Sequence, residues 1–326
     1  MKKLFLFLSL FSLLSFLAFA KTTPMPAWVT DYRSVFPDSE YLAQRGTGDS
    51  SEKAITDASG ALARYFQMTV NANISTTMTE EKTTVVDEVQ VRSDVELFGM
   101  QFTEPYHLKK DKRWYAVAYI KRSDAWTQYK PKVDQSSRTF TGKYKKIEEE
   151  KDHFSRIALC RNAWESAMEL LTKLEYARII SPKDEAAYKG DRDRIAKIPV
   201  LLDEARSNCT IYLDCPGDYN NMLTTSISAA FTKAGMTVLK NQASAKYICN
   251  VDVDNNVIGS DPLSISPSIS IKMADQAGKA VYAYEYVTEE KTVSYTLENA
   301  KKKGYPKFVK DVEKSLSNDL NTILKQ

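Results

Sequence analysis

Histidine, glycine and long apolar segments are scarce in this sequence of 326 residues. The two histidines, His107 and His153, belong to no HExxH or similar metal-binding motif. Gly46-Thr47-Gly48 lacks the lysine of a P-loop and the third glycine of a dinucleotide fingerprint. No GxSxG motif marks a nucleophilic serine. We therefore expect no catalytic residues, no metal and no cofactor, and we expect that the protein is not an enzyme.

Excess charge of one sign is also missing. The formal net charge is +3, and removal of Lys2 and Lys3 with a leader peptide leaves +1. A nearly neutral chain lacks the basic surface of a nucleic-acid-binding protein, so no nucleic-acid partner is expected. With 43% hydrophobic and 27% charged residues, the composition is typical of a folded protein of two or three domains.

The first twenty residues have the pattern of a signal peptide. Lys2 and Lys3 precede an apolar run, and Ala18-Phe19-Ala20 matches the small-x-small pattern that a signal peptidase recognises. We expect cleavage after Ala20 and a periplasmic or secreted protein. The alternative is a retained anchor, for which the apolar run is short. No later segment is apolar enough to span a bilayer, so we expect membrane contact to be peripheral at most.

Residues 21–142 are predicted to form a small α+β domain. Pro26-Ala27-Trp28 should be extended, and Tyr41 to Gly46 a strand. A helix is expected from Ser50 to about Phe66, with Asp49 as N-cap and Glu52 as its capping-box partner. The β-branched segments Gln67 to Thr79 and Trp114 to Ile120 are predicted strands. The predicted buried face of the helix consists of Ala54, Ala58, Ala61, Leu62 and Tyr65.

Residues 143–208 are predicted to form a helical hairpin. In the first arm, apolar residues from Phe154 to Leu174 recur at steps of three and four, as in an antiparallel coiled coil. Ser181-Pro182 should end this arm, and the second should begin near Gly190.

Residues 209–326 are predicted to form a second α+β domain, with an antiparallel sheet and two packed helices. Four candidate strands follow its first strand and helix. Ser264 to Ile271 alternates serine with isoleucine or proline, which indicates a sheet covered on one side only. The predicted fold class is therefore α+β throughout. The four strands are Thr237 to Lys240, Tyr247 to Val253, Ser264 to Met273 and Ala280 to Val287.

An oxidising compartment makes Cys160, Cys209, Cys215 and Cys249 candidates for two disulfides, with three possible connectivities. Cys160 and Cys209 lie on the inner faces of the hairpin at similar distances from its loop, so we expect them to pair. Cys215 would then pair with Cys249. The alternative is that all four are reduced, buried thiols.

Tyr282, Tyr284 and Tyr286 alternate along one strand and share one face. An exposed face would give a rigid contact surface for a protein partner. The alternative is a core face covered by a helix.

The N-terminal region resembles bacterial envelope proteins with an LPP20-type lipoprotein domain, a domain also found at the N-terminus of flagellar assembly protein T. The resemblance implies a non-catalytic role in the periplasm or at the outer membrane. Lys21 stands where lipoprotein members carry the acylated cysteine, so no lipid anchor is expected there. The matching features are Pro26-Ala27-Trp28, Gly46-Thr47-Gly48, the helix with Ala54, Ala58, Ala61, Leu62 and Ala63, the β-rich segment after it, and Trp114 to Tyr119.

Two classes of function remain open at this point. An interaction or assembly module would bind other envelope proteins, or itself as a homo-oligomer; a flagellar assembly accessory is one variant. A small-ligand-binding protein or hydrolase would use carboxylates such as Asp49 and Glu52. A deep cleft with converging acids of shifted pKa would favour the second class.

Overall fold

The computed structural model describes residues 24–80 and 99–324. The predicted signal peptide and Lys21 lie outside the described residues. The chain divides into two compact units. The described part of the first is residues 24–66 and 99–125, and that of the second is residues 67–80 and 126–324.

The first unit is an antiparallel sheet with one helix packed on it. The central strand of the sheet pairs with each of the other strands. In its longest ladder, Tyr41 lies opposite Lys121 at one end and Gly48 lies opposite Trp114 at the other. Ala58 is fully buried, and a Cβ atom on Gly46 would lie 2.1 Å from its backbone nitrogen. Glycine thus permits the close helix contact. The elements are α1 (Ala27–Thr30), α2 (Tyr32–Val35), β1 (Tyr41–Gly48), the start of α3 (Ser51–Glu80), β2 (Gln101–Phe102), β3 (Tyr106–Leu108) and β4 (Arg113–Lys121).

Two predictions about this unit's flanks are wrong. Ala27 and Trp28 belong to α1 and are not extended. Trp28 is buried because its side chain completes the core on the sheet. Ser50, not Asp49, caps α3, since its Oγ accepts the N–H of Lys53 at 3.3 Å. The core of this side contains Trp28, Val29, Phe36, Ala43 and Val117.

The predicted strand Gln67 to Thr79 is also wrong, because α3 continues to Glu80. Phe66, Val70 and Ile74 are buried at steps of four, which is the helical period. Burial of that stripe outweighs the modest preference of β-branched residues for strands. Tyr65, which was expected in the buried stripe, is 41% exposed.

The helices of the second unit that precede its sheet are the end of α3 and four more. These four are α4 (Arg122–Glu149), whose first turn belongs to the first unit, α5 (His153–Ile180), α6 (Pro182–Glu185) and α7 (Lys189–Asn208). The predicted arms correspond to α5 and α7, and α5 ends at Ser181 as expected. The predicted domain boundary at residue 142 falls inside α4. Residues 143–208 and 209–326 belong to the same compact unit.

Helix α5 does not form a two-helix coiled coil, because α4 and the end of α3 contact it as well. Asn73 of α3 donates a hydrogen bond to Glu175 at 2.8 Å, and Arg192 of α7 reaches the same carboxylate at 2.7 Å. Glu175 is 1% exposed, so these partners are what make its burial tolerable. From α4, Ser136 donates a hydrogen bond to Glu169 of α5 at 3.2 Å.

The rest of the second unit is a five-stranded sheet with α8 and α9 on one face. The strand order is β10-β9-β7-β5-β6. The elements are β5 (Thr210–Asp214), α8 (Met222–Lys233), β6 (Thr237–Leu239), β7 (Tyr247–Asp254), β8 (Leu263–Ile265), β9 (Ser268–Asp275), β10 (Ala280–Val287), β11 (Thr292–Ser294) and α9 (Leu297–Ile323).

The α+β class is confirmed, but the sheet is mixed. Strands β7, β9 and β10 pair antiparallel as predicted, whereas β5 pairs parallel with β6 and β7. A parallel pair needs a crossover connection, and α8 provides it between β5 and β6. The predicted strand Ser264 to Met273 is split, because Pro267 separates β8 from β9 and has no N–H for a ladder. Strand β8 instead pairs with β11.

Candidate interaction surface

The carboxylates considered for a hydrolase do not converge on a site. Asp49 forms an exposed ion pair with Lys53 at 2.7 Å. The hydrogen bond from Lys53 lowers the pKa of Asp49, which keeps this carboxyl ionised. Within residues 24–80 and 99–324, no group of three or more His, Cys, Asp or Glu side chains is arranged to hold a metal ion.

The predicted Cys160–Cys209 disulfide is not supported, since both cysteines are free. Their thiols have different charged neighbours: Arg156 and Arg206 favour a lower pKa of Cys160, whereas Asp152 favours a higher pKa of Cys209. No bridge joins the two cysteines, so the expected pair is not formed.

Cys215 and Cys249 are also free. The residue opposite Cys249 is Leu213, so Cys215 lies two residues, or roughly 7 Å, further along the neighbouring strand direction. This offset exceeds disulfide geometry. Burial raises the pKa of Cys160 to about 11 and the pKa values of the other three thiols to about 12. All four are protonated near neutral pH and are poor nucleophiles.

The tyrosine stripe of β10 lies in the core and is not a contact surface. Tyr282 and Tyr284 are 5% and 9% exposed. Tyr282 donates a hydrogen bond to Asp319 of α9 at 2.6 Å, and the ring of Tyr286 lies 6.0 Å from that of Phe308. The alternative of a helix-covered face is therefore the one observed.

An exposed apolar surface occurs elsewhere in the second unit. Ile258 forms an isolated bridge with Ser264 of β8, and Ser264 lies opposite Val293 of β11. The backbone hydrogen bonds between Ile258 and Ser264 are 2.9 and 2.8 Å. Directly opposed residues present their side chains on the same face, so Ile258, Ser264 and Val293 form one row. We call this row, with Val257 and Tyr295 beside it, the apolar ribbon.

The outward side chains of the apolar ribbon are mostly in solvent. Ile258 is 57% exposed, Val293 56% and Tyr295 77%. Ser264 is small and half-buried, and its two large neighbours stand roughly 10 Å apart at ordinary strand spacing. The row therefore has one small side chain between two branched apolar ones.

The opposite face of the ribbon is fixed to α9. Ile265 is fully buried and Ser294 is 7% exposed, on the side away from Val293. A Cβ atom on Gly304 of α9 would lie 2.6 Å from Thr292 Oγ1. Glycine at this helix position lets β11 pack directly on the helix, which holds the exposed face on a rigid support.

The connection from β7 into the ribbon is also held in place. The Tyr305 hydroxyl, on α9, donates a hydrogen bond to Asn255 Oδ1 at 2.8 Å. Asn256 adopts a φ of 44°, and its Nδ2 donates to the carbonyl of Ser266 at 2.8 Å. Both contacts anchor the turn that carries Val257 and Ile258.

The rim of the apolar ribbon is acidic. Segments 254–261 and 289–298 contain five exposed carboxylates and one lysine, Lys291. One carboxylate, Glu290, contacts Lys307 of α9. The other four carboxylates form no ion pair with a described residue, and Lys301, Lys302 and Lys303 follow at the start of α9. The two segments themselves carry a net negative charge, which favours a basic partner. The carboxylates are Asp254, Asp261, Glu289, Glu290 and Glu298.

Sequence reasoning missed this surface because its strands are too short to show a period. The available signal was local: Val257 and Ile258 interrupt a polar turn, and Val293 and Tyr295 follow the last predicted strand. Isolated apolar residues in a turn do not reveal that two distant segments meet.

The first unit defines a class of protein, a small α+β domain with one long helix on an antiparallel sheet. Residues 26–121 match the model of the LPP20 lipoprotein family. The match is consistent with an LPP20-type domain in this part of the chain, and the family agrees with an exported or envelope location. The apolar ribbon lies outside the matched residues. None of the helices in the described part of the chain has the length and apolar character to cross a membrane.

Two solved structures resemble this chain at low similarity. A minor lipoprotein from Acinetobacter baumannii is 11% identical, covers 34% of this chain and 92% of its own, and has a TM-score of 0.25. A secreted protein from Helicobacter pylori is 11% identical, covers 87% of this chain and 96% of its own, and has a TM-score of 0.32. No curated protein matches the sequence.

Proposed function

We propose that this protein is a non-catalytic, exported interaction module of the cell envelope, and that it binds a partner protein through the apolar ribbon. The observation that carries the proposal is the row Ile258, Ser264 and Val293, whose large members are more than half exposed on a rigidly supported strand pair. Exposed clustered apolar side chains with a polar rim are typical of protein interfaces.

The structure of the ribbon favours a partner with an apolar side chain flanked by basic residues. We expect the small Ser264 between Ile258 and Val293 to leave room for one such side chain, and the carboxylates of segments 254–261 and 289–298 to attract lysine or arginine beside it. The same rim repels an anionic lipid surface, so a protein partner is favoured over a membrane. The proposal also includes removal of residues 1–20, with the mature chain beginning at Lys21.

Site-specific photocross-linking in intact cells tests the proposal. A cross-linker at position 295 should capture an envelope protein, and Val293→Ser should reduce the yield at least about fivefold by removing a central contact. Val200→Ser is the matched control, because Val200 is 57% exposed on α7, far along the chain from the ribbon. Higher salt should weaken the complex, since the rim is charged.

Three outcomes would contradict the proposal. The first is equal yields for Val293→Ser and Val200→Ser. The second is binding of the purified protein to vesicles of anionic phospholipid that Val293→Ser abolishes, which would make the ribbon a membrane contact. An intact mass that includes residues 1–20 or an acyl group would contradict the processing.

A further inference from the structure

Strand β10 is an edge of the five-stranded sheet, and one set of its residues directs backbone hydrogen-bonding groups away from the sheet. The N–H of Thr288 donates to the carbonyl of Pro267, directly opposite it in the ladder with β9, at 3.1 Å. Hydrogen-bonded pairs alternate along an antiparallel ladder. Ala283, Glu285 and Val287 therefore direct their backbone N–H and C=O groups away from β9, to the open edge.

This edge is long and open. In the described residues, no hydrogen bond from another element reaches the outward backbone groups of Ala283, Glu285 or Val287. All three side chains are exposed, and Val287 is 64% exposed. Edges are protected by proline, by charged side chains and above all lysine, by bulges or by very short strands. Strand β10 has eight residues without proline or lysine, and its protecting features are the single charge of Glu285 and the register shift between Ala280 and Tyr282.

We propose that β10 pairs antiparallel with β10 of a second copy of this chain, forming a continuous sheet across a two-fold axis. A register centred on Tyr284 places Ala283 opposite Glu285 of the second copy, and the reverse. These two pairs exchange about four backbone hydrogen bonds. A register centred on Glu285 is disfavoured, because it places two carboxylates directly opposite each other.

The side chains on the outward face fit the register centred on Tyr284. Lys272 of β9 lies opposite Ala283, whose methyl group leaves open space above the sheet. Glu285 of the second copy lies on the other side of Ala283, so its Cα is roughly 10 Å from that of Lys272. Lysine and glutamate can bridge that span. The two-fold axis generates the ion pair twice, and this complementarity favours a second copy over an unrelated strand.

The backbone pairing is tested by Ala283→Pro, measured by sedimentation equilibrium on the purified protein. Proline at position 283 removes only an outward N–H, so the ladder with β9 is retained. We expect the native protein to self-associate in the micromolar range and Ala283→Pro to remain a folded monomer. Circular dichroism and thermal unfolding verify that the variant is folded.

The register is tested by charge reversal. Glu285→Lys should weaken the dimer about tenfold, because the introduced lysine of each copy would then lie near Lys272 of the other copy. Adding Lys272→Glu to Glu285→Lys should restore the affinity. The matched control is Asp252→Lys on the same face of β7, which lies opposite Ser270 and not at the edge.

The proposal is overturned if the native protein is monomeric at several hundred micromolar, or if Ala283→Pro dimerises as well as the native chain. Failure of the double reversal to restore the affinity would reject the register centred on Tyr284. These measurements use the purified protein alone, so they succeed or fail independently of the partner proposed for the apolar ribbon.

Discussion

The hydroxyl of Tyr247, on β7, donates a hydrogen bond of 2.6 Å to the Asp152 carboxylate and accepts the backbone N–H of His153 at 2.9 Å. Asp152 caps α5 through the N–H of Ser155 at 2.7 Å. Burial and the neighbouring Asp152 raise the pKa of Tyr247, so its hydroxyl remains a donor. One buried side chain thus joins the C-terminal sheet to the start of α5.

We expect Tyr247→Phe to destabilise the second unit by about 1–3 kcal/mol, because it leaves the helix start and part of the Asp152 carboxylate without a partner. Urea unfolding followed by circular dichroism measures the change. Tyr212→Phe is the matched control, since Tyr212 lies on the neighbouring β5 and its hydroxyl makes no hydrogen bond with a described residue. Equal stabilities of the two variants would show that the contact contributes nothing.

Protonation of His153 should lower the stability at acidic pH. Burial and the nearby Lys246 and Arg156 lower the pKa of His153. A group whose pKa is lowered on folding favours the folded state above its unfolded pKa of about 6.5, and this contribution is lost as pH falls through the folded pKa.

The test compares His153→Gln with the native protein. The loss of unfolding free energy between pH 7.5 and pH 5 should be smaller in His153→Gln, as measured by urea titration at each pH. His107→Gln, at an exposed position on β3, serves as control and should follow the native curve. A native-like pH dependence for His153→Gln would contradict the prediction.

The elements that the sequence predicted well have strong local signals. Gly46-Thr47-Gly48 indicates the end of a strand and the alanine stripe after it a helix with one buried face, and the structure has a strand that ends at Gly48 followed by α3. The alternation along Tyr282, Tyr284 and Tyr286 also correctly indicated a single face. The alternation alone does not show whether a helix covers that face, because the covering helix, α9, lies about thirty residues away in the sequence.

The errors arise where a tertiary contact overrides a local preference. Gln67 to Thr79 has β-branched residues, yet Val70 and Ile74 are buried in a helix. The pairing of β5 with β6 and β7 depends on the crossover of α8, which no periodicity encodes. The apolar ribbon depends on the meeting of Ile258 with β8, a contact between short segments.

Thiol titration should find four free cysteines in the denatured protein under non-reducing conditions. Disulfide geometry is not approached by any pair, and burial raises the pKa of every thiol. In the native protein, Cys160, Cys209 and Cys249 should react much more slowly with a thiol reagent than a free thiol does, because they are buried. Recovery of a bridged peptide by non-reducing peptide mapping would contradict this prediction.

Gly46→Ala should destabilise the first unit by at least about 2 kcal/mol, because the added methyl group would overlap the backbone of α3 and force the helix away from the sheet. The Cβ atom would lie 2.1 Å from Ala58 N and 2.4 Å from the carbonyl oxygen of Ala54, and neither backbone atom can rotate away. Thermal unfolding followed by circular dichroism measures the loss. Gly142→Ala is the control: nothing lies within 4 Å of its Cβ position inside α4, so alanine should stabilise by about 0.5–1 kcal/mol. If Gly46→Ala were as stable as the native protein, the close approach of α3 to β1 would be wrong.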